Sequence, residues 1–461
     1  MTKDLGRTAP ARFDLSGFAW AVGIEDTAIG VPICDGGRTL DEYELTEHYA
    51  RWRADLDMVA DLGCTAMRYG LPWYRLNPAP DMWDWTWLDA VVDYATGSVG
   101  VQIIADLVHY GTPAWLPGAF TDPRYPEAIA AFAVQVAKRY GDKIAAYTPV
   151  NEPLVTASFC GERAVWPPYG HGDRGWASVV MGLARGIQAT ISALRATQPE
   201  TTIVHVEATY VWNTIDADMH DLVEQRRLRN FLPTDLMTGR VTPHHPLYGW
   251  LRTLGVTTAA LDDMWKHAVE PDAIGLNYYP TMSCREVVRH GDDIVSVAVD
   301  GGESGLHQVL AEFHARYRLP LLVAETGVEG EHGEQVDWLE RCVKTVLDER
   351  AAGVPVVGFT WWPLFDFVDW GWASAGRVVE EFYVRDAAGQ VHPVGPPGRG
   401  DDIESYLRRM GLYRLEQSHD GLRRGATQAV EAYRRLATRQ VPPLPNRIDA
   451  LTVPGKEREA S

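Results

Sequence analysis

Short apolar runs alternate with longer amphipathic stretches along nearly the whole chain. Most of the short runs are rich in Val, Ile or aromatic residues, a pattern that is typical of buried strands. We predict eight strands, at residues 18–22, 65–70, 101–108, 146–150, 202–206, 273–278, 321–324 and 356–361. Strands and helices that alternate in this number predict an α/β fold, a single (β/α)8 TIM barrel whose functional loops follow the carboxyl ends of the strands.

The amphipathic stretches place apolar residues three to four positions apart, which predicts helices. These helices lie at residues 44–62, 126–140, 176–197, 305–317, 335–352 and 426–436. We interpret residues 1–461 as one domain with long insertions at the rim of the barrel. Residues 240–270 form a long connection, and residues 371–410, rich in Gly, Pro and Asp, predict an extended loop insertion. The segment 442–461 is predicted to be a frayed tail.

The composition is that of a globular protein with a large core, because 46% of the 461 residues are hydrophobic and 23% are charged. The 43 Lys and Arg residues against 62 Asp and Glu give a net charge of −19, which repels phosphate backbones, so we expect no nucleic-acid partner. Residues 1–11 lack a signal-like apolar run, and no apolar stretch approaches the roughly 18 residues of a membrane span. We therefore expect a cytoplasmic protein without a membrane partner, and assembly into a homo-oligomer stays open.

The five cysteines are an odd number, are widely scattered and show no CxxC spacing. They are Cys34, Cys64, Cys160, Cys284 and Cys342. This pattern predicts free thiols and no zinc site.

Two glutamates follow predicted strands. The fourth strand leads into the sequence Thr-Pro-Val-Asn-Glu-Pro at 148–153, which contains Glu152, and the seventh leads into Glu325-Thr326-Gly327. A closed barrel brings the ends of both strands to one mouth. For either glutamate alone, the alternative is a solvated charge in a loop, but the pair favours catalytic use.

Such a pair suits the cleavage of a glycosidic bond, which needs an acid for the leaving oxygen and a carboxylate for the developing positive charge. One carboxyl group must keep its proton while the other loses it. An arginine or hydroxyl donor lowers the pKa of one, while burial and a like charge raise the pKa of the other. Arg68, at the end of the second strand, and Tyr279, just after the sixth, are candidates for the donors.

Tryptophan is unusually frequent, with 17 residues in the chain. Several lie at predicted rims: Trp115, Trp166, Trp361, Trp362, Trp370 and Trp372. The apolar face of a sugar ring packs on an indole while its hydroxyls bond to Asp, Asn, His or Glu, so a cleft with both kinds of residue suits a neutral carbohydrate. The alternative for any single Trp is core packing, and Trp361 is predicted to belong to the core.

Seven motifs follow one another along the chain, mostly at strand ends. They are Met67-Arg68-Tyr-Gly-Leu-Pro-Trp73-Tyr-Arg75, His109-Tyr-Gly-Thr-Pro113-Ala-Trp115-Leu116, Thr148 to Pro153, Gly275-Leu-Asn277-Tyr-Tyr279, Glu325-Thr-Gly327, Trp362 to Trp370, and Gly411-Leu-Tyr413. In this order, the chain from Phe18 to about Tyr433 resembles glycoside hydrolase family 1, the retaining β-glucosidase type, whose fold is a (β/α)8 barrel.

The resemblance implies that Glu152 is the acid/base and Glu325 the nucleophile, in agreement with their places after the strands. It also implies that Asn151 holds the substrate 2-hydroxyl, a contact that strengthens in the transition state. The resemblance further implies that Arg68, Tyr279 and the nearby Asn277 support the nucleophile. It implies that His109 binds a sugar hydroxyl and that the sugar ring packs on Trp362. Asp369 and Trp370 would bind the outer hydroxyls of the sugar.

The sugar-binding end departs from the family pattern. A glutamine usually follows the first strand, but residues 20–27 read Trp-Ala-Val-Gly-Ile-Glu-Asp-Thr, and we predict that Glu25 takes its place. Asp369 stands where a longer Glu is usual, Tyr110-Gly111 replaces Trp-Asp, and Thr326 replaces Asn. Carboxylates at Glu25 and Asp369 disfavour an anionic sugar and predict that the site accepts an amino sugar or a glycan of unusual shape.

We expect a retaining β-glycosidase that acts on a small carbohydrate or glycoside and needs no metal or organic cofactor. One alternative is a transglycosidase that passes the sugar to an alcohol acceptor. An alternative of another class is an inactive sugar-binding or scaffold barrel, which would not require both carboxylates. A metal hydrolase built from His205, Glu207 and His109 is the last alternative, although no spacing in the sequence places the three around one ion.

Overall fold

Eight parallel strands form a closed barrel in the computed structural model, which describes residues 12–33, 37–374, 382–395 and 398–444. The strands are β1 Ala19–Gly23, β2 Ala66–Gly70, β3 Gln102–Asp106, β4 Ile144–Thr148, β5 Thr202–Ala208, β6 Ala273–Asn277, β7 Leu321–Thr326 and β8 Val356–Trp361. Each strand pairs with the next along the chain, and β8 pairs with β1. The predicted (β/α)8 barrel and its eight strands are confirmed, with β4 beginning two residues before its predicted start.

The predicted helices are present, and the chain adds several short ones. The α-helices are Glu42–Leu45, His48–Leu62, Trp73–Leu76, Thr86–Asp93, Tyr125–Tyr140, Pro153–Ala157, Gly172–Thr197, His220–Arg229, Leu232–Met237, Tyr248–Thr253, Thr258–Lys266, Gly302–Tyr317, His332–Ala351 and Gln428–Ala437. The helix His220–Arg229 was not predicted, because none of its residues is buried and its sequence shows no apolar stripe. The connection 240–270 contains two helices, Tyr248–Thr253 and Thr258–Lys266.

Small and β-branched side chains fill the inside of the barrel. The cluster comprises Ala19, Ala21, Ala66, Ile104, Ala145, Ala146, Val204, Val206, Ala273, Leu322, Ala324 and Val357, together with Phe13. Phe13 precedes β1 and is tied to β4 by a hydrogen bond of 3.0 Å from its amide to the carbonyl of Ala145. A larger apolar cluster lies between the strands and the surrounding helices. The interior is therefore packed, which leaves the strand ends to carry chemistry.

A second sheet of five strands stands at the rim, and we call it the rim sheet. Its strands are Val211–Asn213, Cys284–His290, Asp293–Ala298, Tyr383–Arg385 and Val391–Pro393. The prediction of an extended loop over 371–410 is wrong for the last two strands, because Tyr383–Arg385 pairs with the edge of Asp293–Ala298. Residues 375–381 and 396–397 of the insertion lie outside the described residues, as do 1–11 and most of the predicted tail, 445–461.

The helix Gly172–Thr197 is the one described helix whose length and apolar composition would let it cross a membrane, and 67% of its most apolar stretch is buried inside the protein. It packs against Tyr125–Tyr140. Four of the five cysteines, Cys64, Cys160, Cys284 and Cys342, are free thiols as predicted. Cys34 lies outside the described residues.

Candidate active site

Glu152 and Glu325 line one cavity of ≈ 370 Å³ at the barrel mouth, a size that suits a small ligand. Their exposed fractions are only 7% and 3%. Glu152 stands directly before the helix Pro153–Ala157, with a φ of 46° in the left-handed region that glutamate rarely adopts. Such backbone strain concentrates at functional positions. As predicted, the two carboxylates lie together at one mouth of the barrel.

Arg68 and Tyr279 bind Glu325 as predicted. Arg68 Nη1 donates to Oε1 of Glu325 at 2.6 Å, and the hydroxyl of Tyr279 donates to Oε2 at 2.7 Å. The other Arg68 nitrogen, Nη2, donates to Asn151 Oδ1 at 2.9 Å and forms an ion pair with Asp106. The fully buried guanidinium therefore fixes the orientation of Glu325 from behind.

Two uncharged donors hold Glu152. The hydroxyl of Tyr110 donates to its Oε2, and Asn277 Nδ2 donates to its Oε1 at 2.9 Å. We predicted that Asn277 supports the nucleophile, and the structure corrects this. Asn277 pairs with Glu325 only in the backbone register of β6 and β7, while its amide reaches across to Glu152 and, at 3.3 Å, to Asn151.

The two carboxyl groups differ in how easily they lose a proton. Burial raises the pKa of Glu152 to about 7, and the charge of Glu325 adds to the rise. Burial also raises the pKa of Glu325, against the lowering effects of Arg68 and Tyr279 that we expected to dominate. Glu325 is ion-paired, whereas the donors to Glu152 among the described residues are uncharged, which favours the negative charge on Glu325 and the proton on Glu152.

Asn151 and His109 lie behind the cavity. The Asn151 side chain is fully buried, and its nitrogen donates to Tyr110 Oη at 3.1 Å and lies 3.1 Å from His109 Nε2. Burial lowers the pKa of His109, but the nearby carboxylates of Asp26 and Asp106 raise it well above its usual value, and Nδ1 lies 2.5 Å from Oδ1 of Asp26. The predicted contacts of both residues with sugar hydroxyls stay predictions.

Trp362 and Glu25 come together beside the cavity, as predicted for the sugar site. The indole lies parallel to the ring of His109, with centroids 5.7 Å apart, and its Nε1 donates to Glu25 Oε2 at 2.9 Å. Gly23, at the end of β1, makes room for this floor. A Cβ atom there would lie 2.0 Å from Cζ3 of Trp362.

Asp369 and Trp370 line the same cavity. Trp370 packs edge-on against Tyr110 and Trp166, with centroids 5.4 and 5.2 Å apart. Asp369 accepts a hydrogen bond of 3.0 Å from Arg408, so an arginine from the insertion compensates its charge.

The other tryptophans placed at the rim serve in packing. Trp361 is fully buried, as predicted, and Trp166 is buried against Trp370. Trp115 packs against Trp73, and Trp372 lies beneath the guanidinium of Arg38 at 3.7 Å. The core-packing alternative holds for Trp361, Trp166 and Trp115, whereas Trp372 is half-buried between Arg38 and Tyr406.

Sequence reasoning missed three side chains that build the site. Asp106 ends β3 and pairs with Arg68, Asp26 follows β1 and pairs with His109, and Tyr110 donates to Glu152. The signal that could have found both aspartates is their place directly at or after a strand end, the same signal that identified the glutamates.

In the described part of the chain, His205, Glu207 and His109 do not come together as ligands of one metal ion, as the metal-hydrolase alternative requires. Among the described residues, the one group of three metal-ligating side chains within 4.8 Å of one another is Asp26, Asp106 and His109. His205 and Glu207 instead bind each other at 2.9 Å inside the protein. Asp26 and Asp106 are engaged by His109 and Arg68, so protein cations already balance that cluster.

Comparison with known proteins places the chain among glycoside hydrolases. The family model of glycosyl hydrolase family 1 matches residues 39–378, a shorter span than the predicted resemblance but one that contains both glutamates. The chain is 25% identical over 428 residues to a bifunctional β-D-glucosidase/β-D-fucosidase of Bifidobacterium breve, covering 78% of this chain and 92% of the relative. It is 23% identical over 375 residues to an aryl-phospho-β-D-glucosidase of Bacillus subtilis, covering 71% and 78%.

Solved structures share the fold. The β-glucosidase of Thermotoga maritima in complex with azafagomine superimposes with a TM-score of 0.72 at 19% identity, covering 92% of this chain and 98% of that one. The match over most of the chain, the closed barrel and the paired glutamates lead to one conclusion: the chain is a glycoside hydrolase and belongs to glycosyl hydrolase family 1.

Proposed function

We propose that the protein is a retaining β-glycosidase that removes a terminal β-linked sugar through a covalent glycosyl–enzyme intermediate. One observation carries this proposal. Glu152, whose pKa is raised to about 7, shares a buried cavity with Glu325, which is ion-paired with Arg68. A protonated acid beside an ionised carboxylate is the arrangement that the reaction requires.

In the first step, a carboxylate oxygen of Glu325 attacks the anomeric carbon. The bond from that carbon to the leaving oxygen breaks as Glu152 transfers its proton to this oxygen. The products are an ester between the sugar and Glu325 and an alcohol. Loss of the Glu325 charge lowers the pKa of Glu152, which then serves as a base.

In the second step, Glu152 takes a proton from water while the water oxygen attacks the anomeric carbon. The ester bond breaks, Glu325 regains its charge, and the sugar leaves with its original configuration. A transglycosidase would use the same steps with an alcohol in place of water. Product analysis with an added alcohol acceptor separates the two activities.

Trapping of the intermediate tests the proposal. Incubation with a 2-deoxy-2-fluoro glycosyl fluoride should add the mass of one sugar to the peptide that contains Glu325. The 2-fluorine slows both steps, while the good fluoride leaving group speeds only the first, so the ester accumulates. The Glu325→Gln variant should not be labelled. A label that lands on another residue overturns the nucleophile assignment, and the absence of any label with any sugar favours the inactive sugar-binding barrel.

The charge at the sugar end supports a neutral or amino sugar. Glu25 lines the cavity, and its hydrogen bonds among the described residues come from Trp362 and Thr27, neither of which is charged. A panel of nitrophenyl β-glycosides should show activity on neutral sugars and poor activity on a uronide. The Glu25→Gln variant should reduce that discrimination, and a native preference for the uronide contradicts the proposal. The cytoplasmic location stays a prediction.

A further inference from the structure

Four arginines line one side of the cavity in a protein whose net charge is −19. They are Arg163, Arg226, Arg229 and Arg285, and we call them the arginine wall. They reach the cavity from three separate connections. Arg163 follows β4, Arg226 and Arg229 lie on His220–Arg229 after β5, and Arg285 lies in the rim sheet after β6.

The arginine wall stands on the side of the leaving group. Glu152, which delivers a proton to the leaving oxygen in the proposed reaction, follows β4, and the wall comes from the connections after β4, β5 and β6. The predicted sugar contacts Glu25 and Trp362 follow β1 and β8, across the mouth. At its sugar end the cavity therefore has Glu25 and Asp369, the latter paired with Arg408, and at its leaving-group end it has the four arginines and the carboxylate of Glu162.

Within the wall, Arg226 and Arg229 lie close enough to repel each other. Burial lowers the pKa of Arg226, the charge of Arg229 lowers it further, and the charge of Glu162 offsets only part of this effect. Arg229 binds Glu162 at 3.1 Å, whereas Arg226 forms no ion pair with a described residue and lies over the ring of Trp212 at 5.0 Å. A partly buried guanidinium beside a second cation is costly unless an anion arrives to balance it.

Aromatic rings stand among these cations. The guanidinium of the buried Arg285 lies 3.9 Å from the ring of Phe382, and that of Arg163 lies 4.6 Å from the ring of Phe159. Phe159, Phe382, Tyr210 and Trp212 all line the cavity. Arginine on an aromatic surface binds flat carboxylates and phosphates through paired N–H donors, while the rings hold an apolar body.

We propose that the substrate is a β-glycoside whose leaving group is anionic, with a carboxylate or phosphate on an aromatic or otherwise apolar body that contacts the arginine wall. This inference rests on the proposed function and deepens it. A carboxylate and a phosphate would bind the arginine wall through the same kind of contact, and the experiment tests each of these two anions with its own substrate.

The experiment compares four substrates that carry the sugar selected by the glycoside panel. Three have as leaving groups 4-hydroxybenzoate, its neutral methyl ester and 4-hydroxyphenyl phosphate, and the fourth is the 6-phosphorylated sugar on a neutral phenol. The readout is the ratio of kcat/KM for each anionic substrate to kcat/KM for the methyl ester. We compare the native protein with Arg226→Gln and with Arg227→Gln as the matched control. Arg227 is the next residue on the same helix but pairs with Glu224 and Glu312.

The native protein should prefer at least one anionic leaving group over the methyl ester, mainly through a lower KM. Arg226→Gln should reduce that ratio by about tenfold to a hundredfold, the range for a lost hydrogen bond between charged groups. Arg227→Gln should leave the ratio unchanged. Hydrolysis of the methyl ester without a preference for either anion overturns the inference and leaves the proposed function standing. A preference for the 6-phosphorylated sugar that Arg226→Gln abolishes also overturns it, because the anion would then be on the sugar.

A binding measurement separates failure of the inference from failure of the proposed function. Calorimetric titration with 4-hydroxybenzoate and its methyl ester requires no turnover. If no glycoside is hydrolysed but 4-hydroxybenzoate binds more tightly than the ester and loses that advantage in Arg226→Gln, the proposed function fails while the anion site stands. If the two ligands bind equally, the anion site fails.

Discussion

The hydroxyl of Tyr110 donates a hydrogen bond to Oε2 of Glu152, the carboxyl group that carries the proton in the proposed reaction. A donor to a carboxylate favours its ionised form, so this contact lowers the pKa of Glu152 against the larger effect of burial. Tyr110 thereby keeps the acid near the pH at which it can both give and take a proton.

The pH dependence of kcat/KM should reveal this group. Burial raises the pKa of Glu152 to about 7, so the protonated form is present below pH 7 and disappears as the pH rises through that value. We expect kcat/KM to fall tenfold per pH unit well above pH 7. Initial rates at low substrate concentration between pH 5 and 9 measure it. A profile that stays flat to pH 9 contradicts the assignment of Glu152 as the acid.

Tyr110→Phe should move that limb of the profile to higher pH. The variant loses a donor that lowers the pKa of Glu152, so the acid holds its proton longer as the pH rises. The same pH series checks this, with Tyr94→Phe as control, because Tyr94 donates to Asp57 at the surface. A shift to lower pH, or an equal shift in both variants, would argue against the role of Tyr110.

Arg68→Met should destabilise the protein and nearly abolish activity. Asp106 and Glu325 would be left buried without their cation, which costs about 3–5 kcal/mol of unfolding free energy. Urea unfolding followed by tryptophan fluorescence measures the loss. The control is Arg139→Met, which breaks a surface ion pair with Asp89 worth about 0–1 kcal/mol. Equal losses of unfolding free energy in the two variants would show that Arg68 does not neutralise buried Asp106 and Glu325.

Gly23→Ala should damage the sugar floor. The new methyl group would lie 2.0 Å from Cζ3 of Trp362, so the indole must move, at a cost of about 1–3 kcal/mol and with a higher KM for sugars. In Gly249→Ala, the methyl group meets no atom within 4 Å in a helix, so this control should be neutral or stabilising. Unfolding curves and KM values for both variants decide it, and an unchanged KM in Gly23→Ala would remove Trp362 from the sugar site.

The barrel and its central pair could be predicted from the sequence because a closed sheet brings the ends of distant strands together whatever their side chains do. Glu152, Glu325, Arg68 and Tyr279 all follow strands, so their proximity required only the strand assignment. Asn277 could not be assigned in this way. It lies beside Glu325 in the strand register yet donates to Glu152, and no local sequence pattern fixes which glutamate its side chain reaches.

The rim was predictable only in part. Gly and Pro in the insertion indicate turns, but whether Tyr383–Arg385 becomes a strand depends on the exposed edge of Asp293–Ala298, a partner nearly 90 residues away. The ion pair of Asp26 with His109 likewise joins two loops, and no local sequence pattern determines how these loops lie relative to each other.

The rim sheet joins segments that follow β5, β6 and β8, whereas the predicted sugar floor, Trp362 beside Gly23, depends on β1 and the start of the connection after β8. Mutations that accumulate in the rim strands can therefore recruit a new aglycone during evolution while recognition of the glycone is inherited intact. The two halves of substrate choice are free to diverge at different rates.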